Sequence, residues 1–134
     1  MTPTTGGGQE VGGSRAGMAL RDFGRFARFV LDDGMIGATR VLPEGWVAAS
    51  ATPAFRVPDP PPVVGVTHYG YSWWLGEGFM AALGFAGQRI DIFRKERLAV
   101  VTLAAFPQAP YEPDGDQKRR AEVVAFTQAV RGVT

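Results

Sequence analysis

The chain has 134 residues, 46% of them hydrophobic, and a net charge of +1 from 14 basic and 13 acidic side chains. That is enough apolar material for one packed domain, or a large piece of one, and too much for a disordered segment. Acids and bases are interspersed, so no basic stripe draws phosphates and nucleic-acid binding has no support. Cysteine is absent and His68 is the single histidine, which leaves no disulfide, thiolate site or multi-histidine metal site.

The first 17 residues carry Gly6-Gly7-Gly8 and Gly12-Gly13 and almost nothing apolar. They read as a flexible segment preceding the domain at residues 18–134. A phosphate-cradling glycine loop needs a lysine and a following Ser/Thr at set spacing, and neither is present. The segment lacks the basic and apolar regions of a signal peptide. No run of about 18 apolar residues marks a membrane span. The chain expressed as it stands is therefore expected in the cytoplasm.

Ala19 to Asp32 carries the clearest helical signal. Leu20, Phe23, Ala27, Val30 and Leu31 recur at spacings of three and four and define one apolar face. Phe26 and Phe29 widen it, so the helix is expected to be covered on more than one side. Gly34 supplies the stop. Gly37 to Leu42 reads as a short extended link. Pro43 to Ala49 reads as a short helix with proline near its start, anchored in the core by Trp46. Residues 51–66 hold Pro53, Pro58, Pro60, Pro61 and Pro62. These remove amide donors and fix φ, so a loop is expected there rather than a helix or central strand.

Residues 69–105 read as a β-meander. Tyr71, Trp73 and Leu75 alternate with Ser72 and Trp74, as in a half-buried strand. Gly76-Glu77-Gly78 is a turn, Phe79 to Leu83 a second strand, and Gly84 to Gln88 a bend. In the third strand Ile90 and Ile92 alternate with Arg89 and Asp91. Arg94 to Arg97 is a charged turn that discourages edge pairing. Leu98 to Ala105 is nearly all apolar, as in a strand covered on both faces. A last helix is expected over residues 114–131, with Ala121, Val123, Val124, Ala125 and Val130 toward the core. The fold class is thus α+β, a partial antiparallel sheet of three to four strands with flanking helices.

Isolated candidates for chemistry are few. Asp32-Asp33 is a carboxylate pair at a helix end, where such pairs are most often solvated. His68 has the pKa range of a general base, yet a lone histidine beside a proline-rich loop is more often a surface residue. Asp91 and Glu77 have no partner evident from spacing.

Several phrases in order carry a resemblance. Arg21-Asp22-Phe23-Gly24-Arg25-Phe26 opens a helix after a glycine-rich loop. Val41-Leu42-Pro43-Glu44-Gly45-Trp46-Val47 follows, then Tyr69-Gly70-Tyr71-Ser72-Trp73-Trp74, then Ala82-Leu83-Gly84-Phe85-Ala86-Gly87-Gln88, then Leu98 to Ala104. From about Gly12 to Phe106 the chain resembles the C-terminal part of the β-lactamase-like serine hydrolases, the class C β-lactamase and penicillin-binding-protein superfamily. Within it, the branch of 6-aminohexanoate-dimer hydrolase and related esterases is the nearest in kind.

The resemblance implies acyl transfer through a serine ester, on small amide or ester substrates and with no cofactor or metal. Three motifs serve that chemistry in the family. A Ser-x-x-Lys supplies nucleophile and base, a Tyr-x-Asn or Tyr-x-Ser moves a proton, and a Lys-Thr-Gly or substitute lines the cleft. This sequence has serine only at positions 14, 50 and 72, followed three residues on by Gly17, Pro53 and Leu75. Neither Tyr69 nor Tyr71 begins the second motif. The third survives as Ala82-Leu83-Gly84, without its lysine, which disfavours a β-lactam carboxylate as ligand. By resemblance, Gly84 holds the third-motif position and the Phe85 N–H is one of two oxyanion-hole donors. Such a donor is worth about 3 kcal/mol in a complete site and does nothing without a nucleophile. Trp73, Trp74 and Leu83 then line the substrate pocket. Read as residues alone, both tryptophans are equally core or sheet-face aromatics.

The implied protein is the C-terminal fragment of a serine hydrolase, inactive alone. Its expected partner is the missing N-terminal half, or a second copy, meeting it at an exposed sheet edge near Leu98 to Ala105. A half-enzyme complemented by a separate upstream chain and a non-catalytic binding or structural module remain as alternatives.

Overall fold

The computed structural model describes residues 16–59, 61, 64–84, 86–105 and 117–133. Helix α1 spans Leu20–Leu31, within a residue of each end that the apolar spacing predicts. Its stop uses two successive left-handed residues, Asp33 (φ 53°) and Gly34 (φ 75°). Aspartate and glycine are among the residues that enter this region most readily. The Gly34 N–H donates back to the Phe29 carbonyl at 2.9 Å, satisfying an acceptor left open at the helix end. The chain then forms a small hairpin, β1 (Met35–Ile36) and β2 (Thr39–Arg40), where only an extended link was expected.

Helix α2 is short, Trp46–Ser50, and begins after a left-handed Gly45 (φ 76°). It seats Val47 in the core and leaves Trp46 48% exposed. Trp46 is therefore no core anchor. The five-residue helix points one side inward, and that side belongs to Val47 and Ser50.

The main sheet has six antiparallel strands in simple sequential order, β3 to β8. They are β3 (Phe55–Arg56), β4 (Val66–Gly70), β5 (Trp73–Gly76), β6 (Phe79–Leu83), β7 (Arg89–Phe93) and β8 (Leu98–Thr102). Four expected strands are present, but the first begins only at Trp73, because Tyr71 (φ 42°) and Ser72 (φ 69°) form the turn before it, and the last ends at Thr102 rather than Ala105. Two more strands extend the three to four expected to six. The prolines of residues 51–66 exclude a central strand but not an edge one. Strand β3 joins through two flanking bonds, Ala54 N–H to the Tyr69 carbonyl (3.1 Å) and Val57 N–H to the Thr67 carbonyl (2.9 Å). Strands β3 and β8 are the two ends of the sheet among the described residues.

Register gives the sheet two unlike faces. On the first, Leu75, Met80 and Ile92 face one another across β5, β6 and β7. With Ile90 they pack against Ala27 and Val30 of α1 and Val47 of α2. Arg89, Asp91 and Phe93 lie on the second face, and all three are buried. Helix α3, Gln117–Gly132, covers that side: the Arg131 guanidinium sits 4.7 Å over the Phe93 ring. Within α3, Thr127 is the buried position. Ala121 and Ala125 are exposed, while Val123, Val124 and Val130 are half-buried. In α1, Leu20 (53%) and Phe26 (40%) remain substantially exposed, so the broad apolar face of that helix is only partly covered.

Candidate functional site

The segment the resemblance singles out lies where β6 ends. Leu83 is the last residue of β6, half-buried and paired with Arg89 of β7. Gly84 follows, and its N–H donates to the Gln88 carbonyl at 2.7 Å. Gln88 braces the bend with its side chain. Its Oε1 accepts from the Ala86 N–H at 3.2 Å, and its Nε2 donates to the Ala104 carbonyl at 3.0 Å. The bend is thus clamped to the stretch beyond β8, 16 residues away. A Cβ on Gly84 would stand 2.5 Å from Gln88 Oε1 and 2.8 Å from Gln88 Cβ. Glycine at this position lets the amide side chain fold over the bend. Phe85, whose N–H carries the oxyanion-hole assignment, lies outside the described residues.

The two tryptophans part company. Alternation along β5 sends them to opposite faces. Trp73 stacks on Phe26 of α1, with centroids 6.4 Å apart and planes 8° from parallel. Trp74 meets Tyr69 of β4 edge-on at 4.8 Å. Each is half-buried and committed to packing. A cavity of about 30 Å³ lies against Leu83 and Gly84, closed by Arg89 and by Arg120, Val123 and Val124 of α3. It has room for about one water, and neither tryptophan lines it.

The hydroxyls and carboxylates have structural tasks. Ser50 is buried and its Oγ donates to the Val47 carbonyl at 2.9 Å. Ser72 is exposed in the β4–β5 turn with φ 69°, beside Tyr71 at φ 42°. His68 stands on β4, half-buried, with Nδ1 3.0 Å from Thr67 Oγ1. Asp32 is bound by Arg28 from its own helix and by Arg97 from the β7–β8 turn, the latter at 2.6 Å. Those guanidinium hydrogen bonds hold its carboxyl below the ordinary value of 3.8. Asp33 pairs with Arg40 at 3.3 Å. The Asp32-Asp33 pair therefore fastens α1 to its neighbours and offers no shared proton. Among the described residues no cluster of three His, Asp or Glu could hold a metal ion.

One ionic pair corrects the sequence reading, in which Asp91 has no partner: Arg89 binds it. Arg89 and Asp91 sit two apart on β7, hence on one face, and close a two-bond bridge. Arg89 Nε meets Asp91 Oδ2 and Nη2 meets Oδ1, both at 2.6 Å. Asp91 is 1% exposed and Arg89 8%. Arg89 and Asp91 alternate with Ile90 and Ile92, and α3 roofs their side of the strand. The i, i+2 spacing of opposite charges was the available signal, and it becomes decisive only once a helix is known to cover that face.

Compared with models of protein families and with curated proteins, the chain matches none.

Proposed function

We propose that this chain is the C-terminal part of a β-lactamase-like serine hydrolase, nearest to the amide- and ester-hydrolysing branch, and that it is catalytically silent alone. The observation that carries the reading is the placing of the matched phrases. The resembling phrases fall on α1, α2, the β4–β5 hairpin, the end of β6 and β8, in a fold whose six-stranded antiparallel sheet has helices on both faces. The third-motif position, Gly84, falls at the end of a central strand, in a bend braced from two sides. In the proposed parent this bend is one wall of the acyl-transfer cleft. Nucleophile, base and proton-carrying tyrosine come from the upstream half.

That half would join at β8. The outer edge of β8 has no strand partner among the described residues. An open edge offers a row of amides and carbonyls to an incoming strand. Val100 is buried, and Leu98, Ala99 and Val101 are half-buried, so the edge is apolar as well as unpaired. A second copy of the chain competes for the same edge.

A second reading, a non-catalytic binding or structural module, has its own support. Trp73 and Trp74 are both occupied in packing, and the cavity at Leu83 and Gly84 is water-sized. Hydrolysis of a p-nitrophenyl ester separates the two. The chain alone is expected to be inactive. Co-expression with a family upstream half bearing Ser-x-x-Lys is expected to give a stable complex with serine-dependent turnover. A monomer that stays inert and ignores that half supports the binding or structural module instead.

A further inference from the structure

The β4–β5 turn is built against local preference. Gly70 and Trp73 pair across it, so Tyr71 and Ser72 are a two-residue hairpin loop, both left-handed at φ 42° and 69°. That conformation suits Asn-Gly or Asp-Gly, and a bulky side chain in it is strained. The strained residue is also an exposed one. Tyr71 is 67% exposed, and its ring lies 6.0 Å from that of Trp46 of α2, tilted by 44°. Backbone packing holds the turn to the end of α2. The Thr52 carbonyl presses on Gly70 so closely that a Cβ there would stand 2.4 Å from it. Phe26 of α1, stacked on Trp73 two residues beyond Tyr71, adds a third exposed ring beside the turn. Strained backbone of this kind gathers at ligand clamps and active sites.

The charge nearest to Trp46 along the chain is Glu44, exposed in the turn that the Trp46 N–H closes on the Pro43 carbonyl at 3.1 Å. The arginines nearest in sequence to these rings are engaged elsewhere, Arg25 with Asp22 at 2.9 Å and Arg40 with Asp33 at 3.3 Å. We propose that Trp46 and Tyr71 form a platform for a quaternary ammonium group, a trimethylammonium on a small polar carrier. Aromatic faces are electron-rich and attract a cation within about 6 Å of their centroids. With the two centroids 6.0 Å apart, one methylated nitrogen seated over the pair reaches both. Glu44 adds the pull of a full negative charge at longer range. The proposal concerns this chain alone and does not depend on the acyl-transfer reading.

Choline is the probe, and 3,3-dimethyl-1-butanol, which has carbon in place of its nitrogen, is the control. Both are titrated into the full chain at constant ionic strength and followed at the indole N–H resonance of Trp46. Saturable binding of choline is expected, with the alcohol about tenfold weaker or more. The double variant Tyr71→Asn/Ser72→Gly gives the turn the residues its backbone prefers. It should raise the thermal unfolding midpoint and lose about tenfold or more in choline affinity. Binding is then lost in a protein that folds better, so a folding defect is not the cause. Trp46→Leu, at an exposed position, should lose binding to a similar degree with its far-ultraviolet spectrum retained. Equal binding of the alcohol and choline would reduce the rings to a greasy patch and overturn the proposal. So would undiminished choline affinity in the double variant, or no saturable binding. Binding of methyl glucoside with choline silent would assign the rings to a neutral sugar and overturn it as well.

Discussion

The two faces of the central sheet are built by different physics. On the α1 side, Leu75, Met80, Ile90 and Ile92 meet Ala27 and Val30, and stability comes from area removed from water. On the α3 side, the same strand β7 buries a carboxylate and a guanidinium 2.6 Å apart, roofed by a helix that also lays Arg131 over Phe93. The first face tolerates any apolar side chain of the right volume. The second tolerates almost no single change, because either charge left alone is uncompensated in a low-dielectric site. The two faces of β7 are therefore held differently, by shape on one side and by a pair of charges within the strand on the other.

The strictest test of that difference is Asp91→Ala. It strands the Arg89 guanidinium and is expected to cost about 3–5 kcal/mol in urea unfolding. The double variant Arg89→Met/Asp91→Leu removes both charges and should recover most of that loss. If Asp91→Ala alone costs under about 1 kcal/mol, the pair does not have the desolvated character ascribed to it. On the apolar side, Ile92→Ala is expected to cost about 2–5 kcal/mol, while Ile92→Val costs about 0.5–1.5 kcal/mol. A graded response here beside an all-or-none response at Asp91 would sharpen the contrast between the faces.

At the bend, Gly84→Ala is expected to cost about 1–3 kcal/mol by pushing on Gln88. It should also speed amide hydrogen exchange at Gly84 and Ala86, whose N–H groups bond Gln88. Unchanged exchange would mean that Gln88 does not brace the bend.

The smallest effect belongs to the exposed cluster of Arg28, Asp32 and Arg97. Arg97→Ala should leave the urea midpoint almost unchanged, and the remaining difference should vanish in high salt. The sign with pH follows from the lowered Asp32 carboxyl. Its contribution is complete above the ordinary value of 3.8 and is lost as pH falls below that, through the lowered one. Acid titration of wild type against Asp32→Asn should thus show the two converging only below about pH 4.

Much of this architecture was legible in the residues. The three- and four-residue spacing of Phe23, Ala27, Val30 and Leu31 located α1 because an amphipathic helix declares its period. Alternation through Trp73 to Leu75 and Arg89 to Ile92 located the inner strands for the same reason. Strand β3 was hidden because prolines dominate its surroundings and only two residues, Phe55 and Arg56, join the ladder. Trp46 misled because its size suggests burial, whereas a five-residue helix has one inward side, and Val47 occupies it. The burial of Arg89 and Asp91 depends on α3, more than 25 residues along the chain, and no local pattern reports it.

The candidate site was legible in a similar, partial way. The bend at Gly84 to Gln88 was read from its glycines, but not that the Gln88 side chain folds over Gly84. Alternation placed Trp73 and Trp74 on opposite faces. It could not say that Phe26 and Tyr69 would occupy them, since those contacts join segments distant along the chain or across strands.

The most direct test of the proposed role is labelling with a fluorophosphonate, followed by peptide mapping, with and without an upstream half carrying Ser-x-x-Lys. The account predicts no label on this chain in either case, and heat-sensitive labelling of the upstream serine when the two are together. Stoichiometric, heat-sensitive labelling of Ser50 or Ser72 in the chain by itself would contradict it.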